Sequence, residues 1–317
     1  MFANINIDKL NIFLMLLSAV IAFFIPFELF LFAYAFLGPL HYLTEINWLH
    51  QKGYYTTSKN DYKLLLFLIF LIGISVFSPL SKYLRVFLPV FIAFGFLSAF
   101  AMQYFEKQKS KLIFYAISFL ISFGLFWLFK QKSEIVFSIF LPSLIHVFIF
   151  TGLFILVGAI KNKNKIGKIA LFVFFICGIG LLFIPYFPIK NNITETITTA
   201  YHSFERINQT LINYFSENTN TVFSSNIGFQ IMRFIAFAYT YHYLNWFSKT
   251  SIIQWHKSNK LNLSVIVLIW VLSVGLYSYN YTIGLKWLYL LSLTHVLLEF
   301  PLNFLSIRIL LTKVKTI

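Results

Sequence analysis

Residues 286–311 read KWLYLLSLTHVLLEFPLNFLSIRILL, and this stretch decides the fold. It is apolar for longer than the roughly 20 residues that a helix needs to cross the hydrocarbon of a bilayer. Near its middle stand His295 and Glu299. Hydrocarbon offers no water to an imidazole or a carboxylate. Ionisable groups at that depth are rare, face a bundle interior and mark a functional site or path.

The rest of the chain repeats the pattern. Its 317 residues are 59% hydrophobic and 11% charged, with a mean hydropathy of +0.79. That composition excludes an ordinary soluble domain and predicts an all-α, polytopic transmembrane bundle. About ten spans are expected, near 10–25, 28–49, 63–79, 84–105, 111–130, 134–160, 168–187, 227–249, 263–281 and 286–311. The length predicts one integral membrane domain over 1–317. The first apolar run lacks a short core followed by a small-residue cleavage site, so it reads as a true span. The 41 phenylalanines accompany frequent Ile, Asn, Lys and Tyr, which is a compositional bias and not a substrate signal.

The formal charge of +15 follows from topology. Lysines concentrate in alternate loops: Lys52, Lys59 and Lys63; Lys107, Lys109 and Lys111; Lys161, Lys163, Lys165 and Lys168; Lys249, Lys257 and Lys260; and the tail with Arg308, Lys313 and Lys315. By the positive-inside rule these loops and both termini are cytoplasmic, in a bacterial-type inner membrane. No nucleic-acid partner is implied. The lone Cys177 lies in an apolar run and reads as a small buried hydrophobe, which excludes disulfides and thiolate clusters.

One loop is exceptional. Segment 188–226 is polar and falls on the outer side. Within 193–217, Ile193, Ile197, Phe204, Ile207, Leu211 and Phe215 are spaced as the apolar face of an interfacial helix. His202 and Glu205 on it read as solvated polar residues. His50 and His256, beside lysines at the cytoplasmic boundary, read as surface groups.

Four histidines remain, each near the middle of a span: His41, His146, His242 and His295. All four spans run in the same direction. The rings lie about 9 to 15 residues into them, so at about 1.5 Å per residue their depths agree to within about 10 Å. Parallel spans of that kind can bring the rings to one metal, because imidazole is the commonest side-chain ligand. Two of the histidines carry an acid one turn on, His41–Glu45 and His295–Glu299. Positions i and i+4 share a face. Such a carboxylate either ligates directly or holds the ring N–H of a ligand, more naturally one on a neighbouring helix. Tyr42, Tyr243 and Asn245 flank the candidate ligands as further outer groups. Pro39, Pro142 and Pro301 lie close by and predict kinks. A proton or ion path, or four separate structural histidines, are the competing readings.

Neutral imidazoles with outer carboxylates suit Fe(II), with zinc and copper as alternatives. In a dry apolar site the matching chemistry is oxygen-dependent, on a lipophilic substrate reaching it from the bilayer. The islands Gly38-Pro39-Leu40-His41 with Glu45, the isolated His146, the aromatic-flanked His242 and Thr294-His295 resemble the Brp/Blh family of membrane β-carotene 15,15′-dioxygenases. The resemblance implies an all-helical membrane enzyme that holds non-haem iron through histidines and cleaves β-carotene to retinal. The chain departs from the family in Tyr42 after His41, in Glu45 as the acid, and in lacking two histidines one turn apart on a later span. The alternatives are a proton-coupled transporter using Glu45, Glu299, Arg233 and the histidines, or a non-catalytic membrane subunit.

Overall fold

The structure, a computed structural model, describes residues 2–79, 81–185, 193–215, 222–250, 254 and 259–314. Among them every regular element is helical. The main helices are α1 (Phe2–Phe24), α2 (Pro26–Gln51), α3 (Tyr62–Phe77), α4 (Arg85–Tyr104), α5 (Gln108–Leu128), α6 (Lys130–Lys161), α7 (Lys165–Phe183), α8 (Glu195–Tyr201), α9 (Glu205–Phe215), α10 (Asn226–Ser248), α11 (Lys260–Tyr279) and α12 (Tyr281–Val314). Each of the ten expected spans falls on one of these helices. Eight are long and apolar enough to cross a membrane. Of the other two, α3 has only 16 residues. The second, α10, has 23 residues but carries Arg233, Tyr239, Tyr241, His242 and Asn245.

A helix satisfies its own backbone, which is what a segment without water requires. The polar side chains needed at helix starts sit in the connections. Asn164, Thr194, Ser225 and Asn259 accept from the first free N–H groups of α7, α8, α10 and α11. Large apolar side chains meanwhile point outward: Phe70, Leu120, Trp127 and Phe172 are 63%, 69%, 76% and 67% exposed. Such a surface would aggregate in water and is the ordinary outer face of a protein in lipid.

The chain forms two compact units, Met1–Gly38 with Val147–Ile252, and Pro39–His146 with Ile253–Ile317. In the first, α10 packs against α1, α7 and the start of α2. Its buried Arg233 donates to Phe23 O (3.0 Å), Ile184 O (3.2 Å) and Pro185 O (3.3 Å), and lies over the Phe23 ring. These carbonyls close α1 and α7. The guanidinium therefore meets the negative ends of two helices, where a cation is stabilised.

The expected interfacial helix is two pieces, α8 and α9, joined by a 3-10 turn at His202–Phe204. Tyr201 and Phe204 pack on Phe27, Phe30 and Tyr34 of α2, and the Tyr201 hydroxyl donates to Asn208 (2.6 Å). The buried face continues through Ile207 and Ile212, while Phe215, expected on that face, is exposed at the end of α9.

In the second unit, α12 packs against α3, α4 and α11, and α4 against α5. One end is strapped by the segment after α2. Thr57 donates to Met102 O (3.1 Å) and Phe105 O (2.8 Å), Gln103 donates to Tyr55 O, and Arg308 donates to Gln103 O (3.1 Å). Tyr54 packs with Leu49, Leu65, Met102 and Leu298. Asp61 accepts from Ser58 N (3.1 Å) and pairs with Lys111 at 2.6 Å, both partners buried.

Two helices contain wide, π-type turns, Ala33–Leu37 in α2 and Glu134–Phe150 in α6. Each has a proline at hand, Pro39 just beyond the first and Pro142 inside the second. Proline supplies no N–H and its ring presses on the preceding turn, which favours a widened register.

Removing one partner of the Asp61–Lys111 pair strands a buried charge. Asp61→Asn or Lys111→Met alone should lower unfolding stability by about 3–5 kcal/mol, and the double variant by less than the sum of the two. Thermal unfolding of the detergent-solubilised variants measures this.

Candidate metal centre

Three of the four mid-span histidines lie in the second unit, together with both glutamates. His41 and Glu45 sit on α2 after Pro39, His146 on the wide-turned part of α6, and His295 and Glu299 on α12. All five side chains are buried, none more than 3% exposed.

His146 Nε2 and His295 Nε2 face each other at 3.0 Å. On the other edge of the same ring, His146 Nδ1 lies 3.6 Å from Glu299 Oε2. One atom each from His146, His295 and Glu299 can be chosen so that all lie within 4.8 Å of one another. His41 Nε2 lies 3.1 Å from Glu45 Oε2, and the His41 and His295 ring centroids are 5.3 Å apart. Tyr42 stacks on the His295 imidazole at 4.2 Å with 20° between the planes, which fixes that ring's orientation.

These spacings suit a cation. Two ligands about 2.1 Å from one metal are about 3.0 Å apart at a right angle and about 3.4 Å apart at the tetrahedral angle. The facing Nε2 atoms have the right-angle spacing, that of a six-coordinate site. The donor set, two imidazoles and a carboxylate, is the one that leaves positions open on non-haem iron.

Electrostatics points the same way. The Glu45 and Glu299 carboxyls are both buried, as is Asn303 one turn past Glu299. Buried carboxylates far from water are costly unless a cation or a proton stands with them. No lysine or arginine pairs with either glutamate among the described residues.

Glu299 approaches a ring on a neighbouring helix, His146, at 3.6 Å, whereas Glu45 lies 3.1 Å from His41 on its own helix.

The fourth histidine, His242, belongs to the first unit, where its Nδ1 is 2.7 Å from Thr151 Oγ1 and its ring meets Tyr243 edge-on. Asn245 there accepts from Tyr241 Oη (3.4 Å), in a polar cluster with Asn11 and Ser248. His50 is exposed and reaches Tyr54 Oη at 3.2 Å, and His202 is exposed beside Glu205. His256 lies outside the described residues.

Two residues at these centres escaped sequence reasoning. Asn303 stands one turn past Glu299, so the spacing His295–Glu299–Asn303 at i, i+4 and i+8 was a legible signal. Thr151, 91 residues from His242, was not legible.

No family model, no curated protein and no solved structure matches this chain.

The Thr151 bond is open to a direct test. Thr151→Val keeps the shape and removes the hydroxyl, leaving His242 Nδ1 without that partner. Stability should fall by about 1–3 kcal/mol, whereas Thr151→Ser should stay near wild type; a thermal melt in detergent separates them.

Proposed function

We propose that this chain is a membrane-embedded, iron-dependent oxygenase acting on a lipophilic substrate, with a carotenoid as the substrate class. One observation carries the reading: His146, His295 and Glu299, all 1% exposed, offer a two-imidazole, one-carboxylate set within 4.8 Å inside a bundle of apolar helices. A transporter would place its ionisable groups along an aqueous route, whereas these are sealed from water.

Iron held there supplies oxygen-dependent oxidation. The chain supplies the rest. His146 and His295 present Nε2 atoms at right-angle spacing. Tyr42 keeps the His295 ring from rotating. Glu299, whose Oε2 lies 3.6 Å from His146 Nδ1, is the carboxylate of the set. His41 joins this group through its closeness to His295. His242 enters the proposal on its sequence position alone. The carotenoid assignment rests on the resemblance of the four histidine islands to the Brp/Blh family. We assign the protein to a bacterial-type plasma membrane with both termini cytoplasmic, on the alternation of lysine-rich loops.

Elemental analysis of the purified, tag-free protein is the decisive measurement. Iron should be present at one equivalent per chain or more, and His146→Ala and His295→Ala should each lower affinity by at least 10–100-fold. Stripping the metal with a chelator should abolish oxygen uptake on a carotenoid, and Fe(II) should restore it. A metal-free protein with pH-dependent solute flux would replace the oxygenase with a carrier.

A further inference from the structure

The inner half of α12 carries a polar stripe. His295, Glu299, Asn303 and Ser306 recur at i, i+4, i+8 and i+11. At 3.6 residues per turn they fall within about 80° of arc, on one face of the helix. All four are buried, none more than 3% exposed. At about 1.5 Å per residue the stripe is about 16 Å long, close to half of a hydrocarbon core about 30 Å thick. It starts at the mid-span imidazole and ends two residues before Arg308, which donates to Gln103 O (3.1 Å) at the strapped end of the second unit. In the other direction the stripe stops. The positions that continue the same face are Leu291 and Leu288, buried and apolar. A path across the membrane needs polar groups on both sides of its midpoint. This face leads from one end of the helix to the imidazole and no further.

Part of the stripe has no partner at rest. Among the described residues, both amide atoms of Asn303 and both carboxylate oxygens of Glu299 make no hydrogen bond. One Glu299 oxygen belongs to the candidate metal set. The Asn303 amide, 0% exposed, is a whole polar group held in the bundle interior unpaired, at a cost that a leucine of similar size would avoid. A buried group of this kind points to water or an ion as its partner in another state.

We infer that this face of α12 is the route by which the metal reaches its site. A divalent cation enters at the strapped end, passes Ser306 and Asn303, and is captured by Glu299, His295 and His146. The inference rests on the metal centre proposed above. Asn303 Oδ1 and Ser306 Oγ are neutral oxygens, able to replace part of an ion's hydration shell without holding it, which is what passage requires. The strapped end is the one assigned above to the cytoplasm, so the metal is taken from that side. All four side chains are buried, so the route is shut in this structure and loading needs that end to loosen.

The test reads the rate of loading separately from the amount loaded. Tag-free apoprotein in detergent is mixed anaerobically with Fe(II), uptake is stopped at intervals with a chelator, and bound iron is measured after desalting. Wild type and Asn303→Leu should reach the same final iron content, with Asn303→Leu slower by about tenfold or more. Release of iron to the chelator should slow by the same factor, because one barrier governs both directions. Asn303→Ser, which keeps a neutral oxygen, should load near wild-type speed. Ser306→Ala, a milder change that carries the test if Asn303→Leu does not fold, should slow loading in the same direction. Wild-type rates in the folded variants overturn the route and leave the metal centre standing. A lower final iron content in Asn303→Leu also overturns it, by making Asn303 a ligand. No iron in the wild type overturns the metal centre and the route together.

Discussion

A hydrocarbon interior has no water with which to satisfy an imidazole or a carboxylate. Each ionisable group placed there needs a partner of matching charge or hydrogen-bonding capacity, or it costs several kcal/mol. The chain meets this demand in two ways. Arg233 takes the carbonyls that end α1 and α7. Asp61 and Lys111 take each other. The glutamates at positions 45 and 299 are answered by neither device. Each lies beside an imidazole, Glu45 3.1 Å from His41 and Glu299 3.6 Å from His146, and that imbalance gives the candidate metal centre its rationale.

Local backbone geometry and site geometry are linked. An α-helix presents its side chains at 3.6 residues per turn, whereas a widened turn changes the direction in which the following residues point. His146 lies within the widened part of α6 and His41 a short step beyond that of α2. Proline supplies the local cause in both cases. The third ring of the group, His295, sits on α12 two turns before its own proline, Pro301, and is held instead by stacking on Tyr42. Backbone distortion aims two of the imidazoles, and an aromatic neighbour holds the third.

The strap over one end of the second unit complements the site chemically. It uses backbone carbonyls left at the end of α4, the buried Asp61–Lys111 pair and the ring of Tyr54. Tyr54 packs on Leu298, the residue before Glu299.

Sequence alone determined the class and positions of the elements. Twenty-residue apolar runs in water have no stable alternative to leaving it, so ten long helices could be read from hydropathy, eight of them long and apolar enough to cross a membrane. It also marked the mid-span histidines and glutamates as candidates, because an ionisable side chain in such a run is costly. Sequence did not determine the 3-10 turn at His202–Phe204, because a single such turn leaves no mark in composition. Nor did it determine which ring faces which. The pairing of His146 Nε2 with His295 Nε2 joins residues 149 apart, and Glu299 sits behind His146 while Glu45 stays with His41. Those choices depend on how helices are rotated about their axes. Rotation is decided by packing between distant segments, and only tertiary structure holds that information.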